Sequence, residues 1–500
     1  MNASWRKVLR RLPARSDLAW AAVPLVFALL VVLFFPFRYR IEFDTDEGIN
    51  AIKAMMVLRG YPLYSEVWSD QPPLFTFLLA SWFRVFGLRL TAGRGLVLLF
   101  SMGLIAAGTG YLRKTWGWLA GACGAVILVL LPYYPRLSVS MMIGLPAIAL
   151  AVASFYLLAE WQARPSLGRL LACAVLLGLS ILTKGFTVFL VPIWFIGIMV
   201  TVARSPAEGR QRRLRWTGPI AWLATLGVVA AAGILVVGPQ NLSQLVSVHL
   251  QSAQSESFPV SPTHPSLEFY LAESLPLFAL AVVGTWRAVR LRKWSDLYLA
   301  GWIVAGYGLL AANHPSWYHH QLLLTVPAAL LASPAVATSI DDVRRRAPSR
   351  PIRAGFALSL ACLALFLAFL VDRVPGTLDG LDARLPNFTG PRPGEESERN
   401  VLAAMSDYAG QTRWLFTDRP IFAFLTGLPV PPYLSVISQK RLFTGNLTQE
   451  EIAATLEEYA PEMILTARFP LAAVQEYMRT RNYFRIDSSP KYRLYFRRPP

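Results

Sequence analysis

Apolar residues along most of this chain neither alternate at the period of a strand nor follow a helical stripe. They gather in blocks of about 16 to 22 residues, separated by short basic stretches. At about 1.5 Å per helical residue such a block crosses a hydrocarbon core, and a helix satisfies its own backbone amides there. The first block runs from Leu18 to Phe37, and others lie near 94–112, 117–133, 142–160, 168–183, 186–203, 217–238, 271–288, 297–312, 319–338 and 354–372. Together they predict about eleven crossings. A shorter apolar piece, 72–87, opens on two prolines and contains Arg84, so it is expected to be re-entrant or interfacial.

The pattern changes after Asp372, where no apolar run is long enough to span and charge becomes denser. A stretch rich in Pro, Gly and Glu from Leu385 to Arg399 reads as a linker. Beyond it, Trp414–Thr417 and Met463–Thr466 have strand composition, and Thr448 followed by Gln449, Glu450 and Glu451 reads as a helix start with an acidic first turn. The expected fold class is therefore an all-α polytopic membrane domain over 18–372, preceded by a basic N-terminus over 1–17 and followed by a small soluble α/β domain over 373–500.

Composition agrees with this: 54% of the 500 residues are hydrophobic and only 16% are charged. The net charge of +18 would suit a nucleic-acid binder, but it lies largely in clusters between apolar blocks, at Arg113–Lys114, Arg164–Arg169, Arg204–Arg215, Arg287–Lys293 and Arg344–Arg353. Such clusters mark cytoplasmic loops, so no nucleic-acid partner is expected. They place the N-terminus in the cytoplasm, and the loop 38–93 and the tail outside it, in a plasma (inner) membrane. The charged start at Arg6, Lys7, Arg10, Arg11 and Arg15 resembles that of a signal peptide, but the apolar run is too long and lacks a small-residue cleavage site, which predicts an uncleaved first span. Cys123, Cys173 and Cys362 fall inside apolar blocks and imply neither a disulfide framework nor a metal cluster.

Candidate chemistry begins in the first outer loop, where Glu42, Asp44, Asp46 and Glu47 fall within six residues. Ile49, Ile52, Met55 and Met56 then recur at helical spacing up to Gly60, predicting an amphipathic helix over 46–59 on the membrane surface. Thr45 is a suitable N-cap, and acids in a first turn suit the helix dipole, so part of this acidity has a purely structural reading. Carboxylates held together against their repulsion also call for a cation, a metal or a substrate. Arg136, Lys184, His249, His264, His314, His319 and His320 all fall on the same outer face. Lys184 at a helix end could snorkel, Arg136 could anchor a turn, and Trp and Tyr beside His314 and His320 suit an interfacial belt. Three histidines within seven residues nevertheless point to a phosphate or a metal. A divalent cation (Mn, Mg or Zn) on Asp46, Glu47 and His314 is chemically open, although the spacing does not require one.

Asp46-Glu47, the amphipathic helix, Gly60-Tyr61-Pro62-Leu63-Tyr64, Asp70-Gln71-Pro72-Pro73-Leu74 and Phe86-Gly87 stand in an order that resembles the first outer loop of the GT-C glycosyltransferases. Within that group the loop is similar to that of the protein O-mannosyltransferase and lipid A aminoarabinose-transferase enzymes. A looser similarity extends over 18–372 and includes Thr183-Lys184-Gly185. The resemblance implies transfer of a sugar from a polyprenyl-phosphate donor to an acceptor hydroxyl on a glycan, lipid or protein, with Asp46 as catalytic base and Glu47 beside it. Lys184, Arg136, His319, His320 and Tyr318 become candidates for the donor phosphate, and Asp44, Asp70, Gln71, His249 and His314 for substrate. Family members often carry Lys where this chain has Gln71, and Asp early in the fourth span where it has Ile143-Gly144-Leu145.

Two other functions fit a polytopic chain. A lipid-linked sugar flippase or secondary transporter would show paired repeats and charge at midplane depth, and little of either is present. A tail enzyme on a membrane anchor would need a nucleophile, phosphate loop or metal spacing, and 373–500 offers none that is evident.

Overall fold

The computed structural model describes residues 15–204, 210–254, 265–312, 315–345, 354–381, 385–389, 396–487 and 489–497. Residues 1–14 of the basic N-terminus, 205–209 and 346–353 of two basic clusters, His264, His314 and residues 390–395 of the linker lie outside these residues.

Every apolar block expected to cross forms helix. Six helices are long and apolar enough to span by length and composition: Leu90–Trp116, Gly144–Ala163, Gly185–Ala203, Thr217–Val237, Tyr318–Arg344 and Gly355–Asp379. Trp20–Phe34, Leu74–Phe86, Trp118–Val129 and Leu167–Thr183 are shorter apolar helices. The segment Tyr318–Arg344 is 89% buried over its most apolar stretch, against 17% for Gly355–Asp379, so the first is the bundle's central helix and the second lies at its edge. Large apolar side chains such as Leu235, Val304 and Ile220 point outward, as a lipid-facing surface requires. The chain is a membrane protein.

Before the bundle proper, the helix Thr45–Leu58 carries an apolar face that is fully buried at Ala51, Ile52, Met55 and Met56. It ends where Gly60 takes a φ of +96°, a left-handed conformation that a Cβ would strain.

The tail carries a four-stranded sheet of order β1-β2-β4-β3, with β1 at Leu415–Thr417, β2 at Met463–Thr466, β3 at Tyr483–Arg485 and β4 at Arg493–Arg497. The β1–β2 pair is parallel, which requires a crossover, and the helix Gln449–Tyr459 lies in it. Thr448 opens that helix with a reciprocal capping box to Glu451. β4 pairs antiparallel with both β2 and β3. Phe416, Ile452, Leu456, Ile464 and Val474 form a core beneath the sheet.

The tail packs directly on the surface helix. Its helix Pro420–Thr426 approaches Gly48 so closely that a Cβ there would lie 2.8 Å from the Ile421 amide nitrogen and 2.8 Å from Glu42 Oε1. Arg59 donates to the Gly427 carbonyl at 2.5 Å, and Arg419 pairs with Glu42. Because the Ile421 obstacle is backbone, it cannot rotate away. Gly48→Ala is expected to destabilise this junction by about 1–3 kcal/mol, read as a lower midpoint of thermal unfolding in detergent and faster proteolysis of the tail.

Candidate functional site

The surface helix begins at Thr45, one residue ahead of the sequence expectation, because Asp44 rather than Thr45 caps it by accepting from the Asp46 amide at 3.0 Å. Tyr318 donates its hydroxyl to Asp44 Oδ2 at 2.8 Å, and the Arg136 guanidinium lies 3.9 Å from the same oxygen. Arg136 also sits 4.8 Å over the Tyr318 ring and donates to the Phe43 carbonyl. Asp44, Arg136 and Tyr318 thus fasten the start of the helix to the central bundle.

Successive helical residues diverge by about 100°, so Asp46 and Glu47 face different surroundings. Glu47 is fully buried, and Arg94 donates to its two oxygens at 2.8 and 2.9 Å. The Phe43 amide adds a third bond at 2.9 Å. Both oxygens are thus engaged, and Glu47, the candidate beside Asp46, is held in an ion pair with Arg94. Among the described residues no group of three His, Cys, Asp or Glu side chains is placed to hold a metal ion. His314, the third member of the candidate donor set with Asp46 and Glu47, lies outside the described residues.

Asp46 is half-buried, and among the described residues its carboxylate has no hydrogen bond or ion pair. Burial, then the nearby Asp44, push this carboxyl up to about 6, while Lys184 and Arg468 pull against them. Lys184 occupies a break in the bundle, with extended backbone between the helix Leu167–Thr183 and the turn Gly185–Phe189. Ser180 and Thr187 bridge that break through their hydroxyls at 3.0 Å, which fixes where Lys184 projects. Its ammonium lies 4.7 Å from the Phe186 ring and has no hydrogen bond or ion pair among the described residues. Burial brings it down to about 8, against the attraction of Asp46. A carboxylate and an ammonium, each lacking a direct partner, thus lie within Coulombic reach of one another. His319 and His320 also lie within reach of Lys184, their rings 4.5 Å apart, and His319 Nδ1 is buried without a hydrogen bond.

A second cluster gathers Asp70, Gln71 and His249, with Asp70 also within Coulombic reach of Asp46 and Lys184. His249 Nδ1 lies 3.0 Å from Lys440 Nζ, and its Nε2 lies 2.9 Å from the Asp70 carbonyl. An ammonium can only donate, so His249 accepts at Nδ1 and donates from Nε2 as a neutral imidazole. Burial favours that form, holding His249 below its ordinary value. Burial also opposes ionisation of Asp70, but His249, Lys440 and Lys53 outweigh it and hold the carboxyl below the usual range. The Gln71 amide is 3.4 Å from His249 Nε2.

Three cations of this region were not singled out in the sequence. Lys53 is buried in the surface helix, 3.5 Å from Ser69 Oγ. Its position four residues after Ile49 and three before Met56 puts a charge on the apolar face, and that was a legible signal. Lys440 and Arg468 come from the tail, and no local pattern marks them.

No protein-family model matches the sequence, and no curated protein matches it. Among solved structures the chain is similar to ArnT from Cupriavidus metallidurans bound to undecaprenyl phosphate, with a TM-score of 0.62, 15% identity, and 96% of this chain and 98% of that one covered. It is similar to the same protein in the apo state at a TM-score of 0.59, with equal identity and coverage. It is also similar to the oligosaccharyltransferase AglB from Archaeoglobus fulgidus in complex with an inhibitory peptide and a dolichol-phosphate, at a TM-score of 0.55 and 10% identity, covering 91% of this chain and 70% of that one. ArnT and AglB are both GT-C glycosyltransferases. This chain has the GT-C membrane fold.

Proposed function

We propose that the protein is a membrane glycosyltransferase that moves a sugar from a polyprenyl-phosphate donor to an acceptor hydroxyl on the extracytoplasmic face, with Asp46 as general base. The observation that supports this reading is the unbonded Asp46 carboxylate within Coulombic reach of the unbonded Lys184 ammonium in a GT-C fold. The departing phosphate is a weak base and needs charge stabilisation more than a proton, whereas the acceptor hydroxyl needs a base. Asp46 takes the hydroxyl proton as the oxygen bonds to the anomeric carbon. The bond from that carbon to the phosphate oxygen breaks, and the phosphate leaves with the electron pair. Lys184 supplies the positive charge it meets, with His319 and His320 as further groups on that side. Acceptors in reach of such chemistry include glycans, lipids and proteins.

The test uses the full-length purified protein in detergent with a panel of polyprenyl-phosphate sugars, following release of polyprenyl phosphate. Lys184→Met is expected to lower kcat/KM by about 10²-fold or more, with Lys184→Arg retaining part of it. Equal activity in wild type and Lys184→Met would remove Lys184 from the donor site, and absence of turnover with every donor would sink the assignment.

A further inference from the structure

The geometry points to Arg468 as a positioning residue of the Asp46 site, delivered by the tail as a counter-charge within Coulombic reach of that carboxylate. This rests on the reading of Asp46 as the base.

Arg468 lies in the loop that follows β2, and that loop is held rigidly. Asp418, one residue beyond β1 and almost fully buried, accepts from the Ala467 amide at 2.9 Å, the Arg468 amide at 2.6 Å and the Phe469 amide at 2.8 Å. Three backbone bonds to one carboxylate leave the loop little freedom, so the direction in which the Arg468 side chain departs is built in. The guanidinium lies 4.7 Å from the Phe469 ring. Among the described residues it makes no hydrogen bond or ion pair, and its Nη1 is buried without a partner. A buried guanidinium nitrogen without a hydrogen-bonded partner is costly, so its place calls for a reason.

The charges within Coulombic reach of Arg468 are Asp418, Asp46, Arg419 and Glu42. Asp418 is spent on the three backbone amides, and Glu42 is paired with Arg419. Asp46 is the carboxylate of this set that no other group bonds directly. The charged and titratable groups within Coulombic reach of Asp46 are Asp44 at the start of its helix, Lys53 further along it, Asp70 from the segment before Pro72, Lys184 from the bundle, Tyr318 from the turn before the central helix, and Arg468 from the tail. Two of these are carboxylates that oppose ionisation of Asp46, and Arg468 is the tail's answer to them. The docking already described, through Gly48 and Ile421 and through Glu42 and Arg419, keeps the loop in register with the surface helix.

The experiment compares the pH dependence of kcat/KM in full-length wild type, Arg468→Gln and Arg468→Lys, with thermal unfolding of each in parallel. Removing the charge is expected to move the acid limb of Arg468→Gln upward by about one pH unit, so that transfer falls about tenfold on the limb and recovers above it. Arg468→Lys is expected to leave the limb near its wild-type position. A loss that is uniform in pH, or an unmoved limb in Arg468→Gln, overturns the proposal. An acid limb missing from wild type, or full transfer by Asp46→Asn, overturns both this proposal and the assignment of Asp46, and so separates the two failures.

Discussion

Asp46→Asn is expected to abolish sugar transfer, by about 10²–10⁴-fold, in a protein that still enters the membrane and folds. The amide keeps the shape of the side chain and loses only its capacity to take a proton. Folding is spared because the carboxylate makes no hydrogen bond or ion pair among the described residues. The carboxyl is raised to about 6 in the folded chain. A group raised in this way contributes stability at low pH that is lost as pH rises through the folded value, so at neutral pH the asparagine variant forfeits none of it. The same shift sets the sign of the pH response in wild type. A general base acts when ionised, so kcat/KM should rise through about pH 6 and level off above it. Transfer by Asp46→Asn at a rate within tenfold of wild type, or a wild-type rate flat from pH 5 to 8, would disprove the base assignment; these bounds follow from the size of a general-base contribution, roughly 10²-fold at least.

Arg94→Met is expected to be the most destabilising single change in the bundle, by about 3–5 kcal/mol. It would leave the Glu47 carboxylate fully buried without its partner, and it would strip the Phe37 and Arg40 carbonyls of the bonds Arg94 donates at 2.5 and 2.7 Å. The expected readout is a large drop in the midpoint of thermal unfolding in detergent. Glu47→Gln combined with Arg94→Met should recover part of that drop, since the second change removes the stranded charge. Additivity of the two single losses would show that the side chains do not act as a pair.

The six helices long and apolar enough to span were legible because each announces itself locally as an apolar block of span length. Gly60, with its positive φ at the end of an amphipathic run, and Thr448, with Glu451 at capping-box spacing, were legible for the same reason. Asp46 could be singled out from the acid cluster, but the cluster alone could not divide Asp46 from Glu47. That division depends on Arg94, 47 positions along the chain, reaching back to one carboxylate and ignoring the other. Arg136 and Tyr318 show the converse: both have the chemistry of a phosphate contact, yet the structure ties them to Asp44 and Phe43. Lys440 and Arg468 were beyond reach because their meaning comes from the docking of the tail, which joins residues separated by 191 positions in the pair His249–Lys440. The cap at Asp44 rather than Thr45 turned on a single side-chain bond between two suitable residues.

The contact at Gly48 also bears on how the molecule would behave if its backbone were cut. Tail and bundle meet through a glycine seat, the Arg419–Glu42 pair, the Lys440–His249 bond and the Phe83–Phe424 rings. None of these depends on the peptide chain between 389 and 396. A nick there would leave two fragments keyed together, migrating as one particle until denaturant prised the seat open.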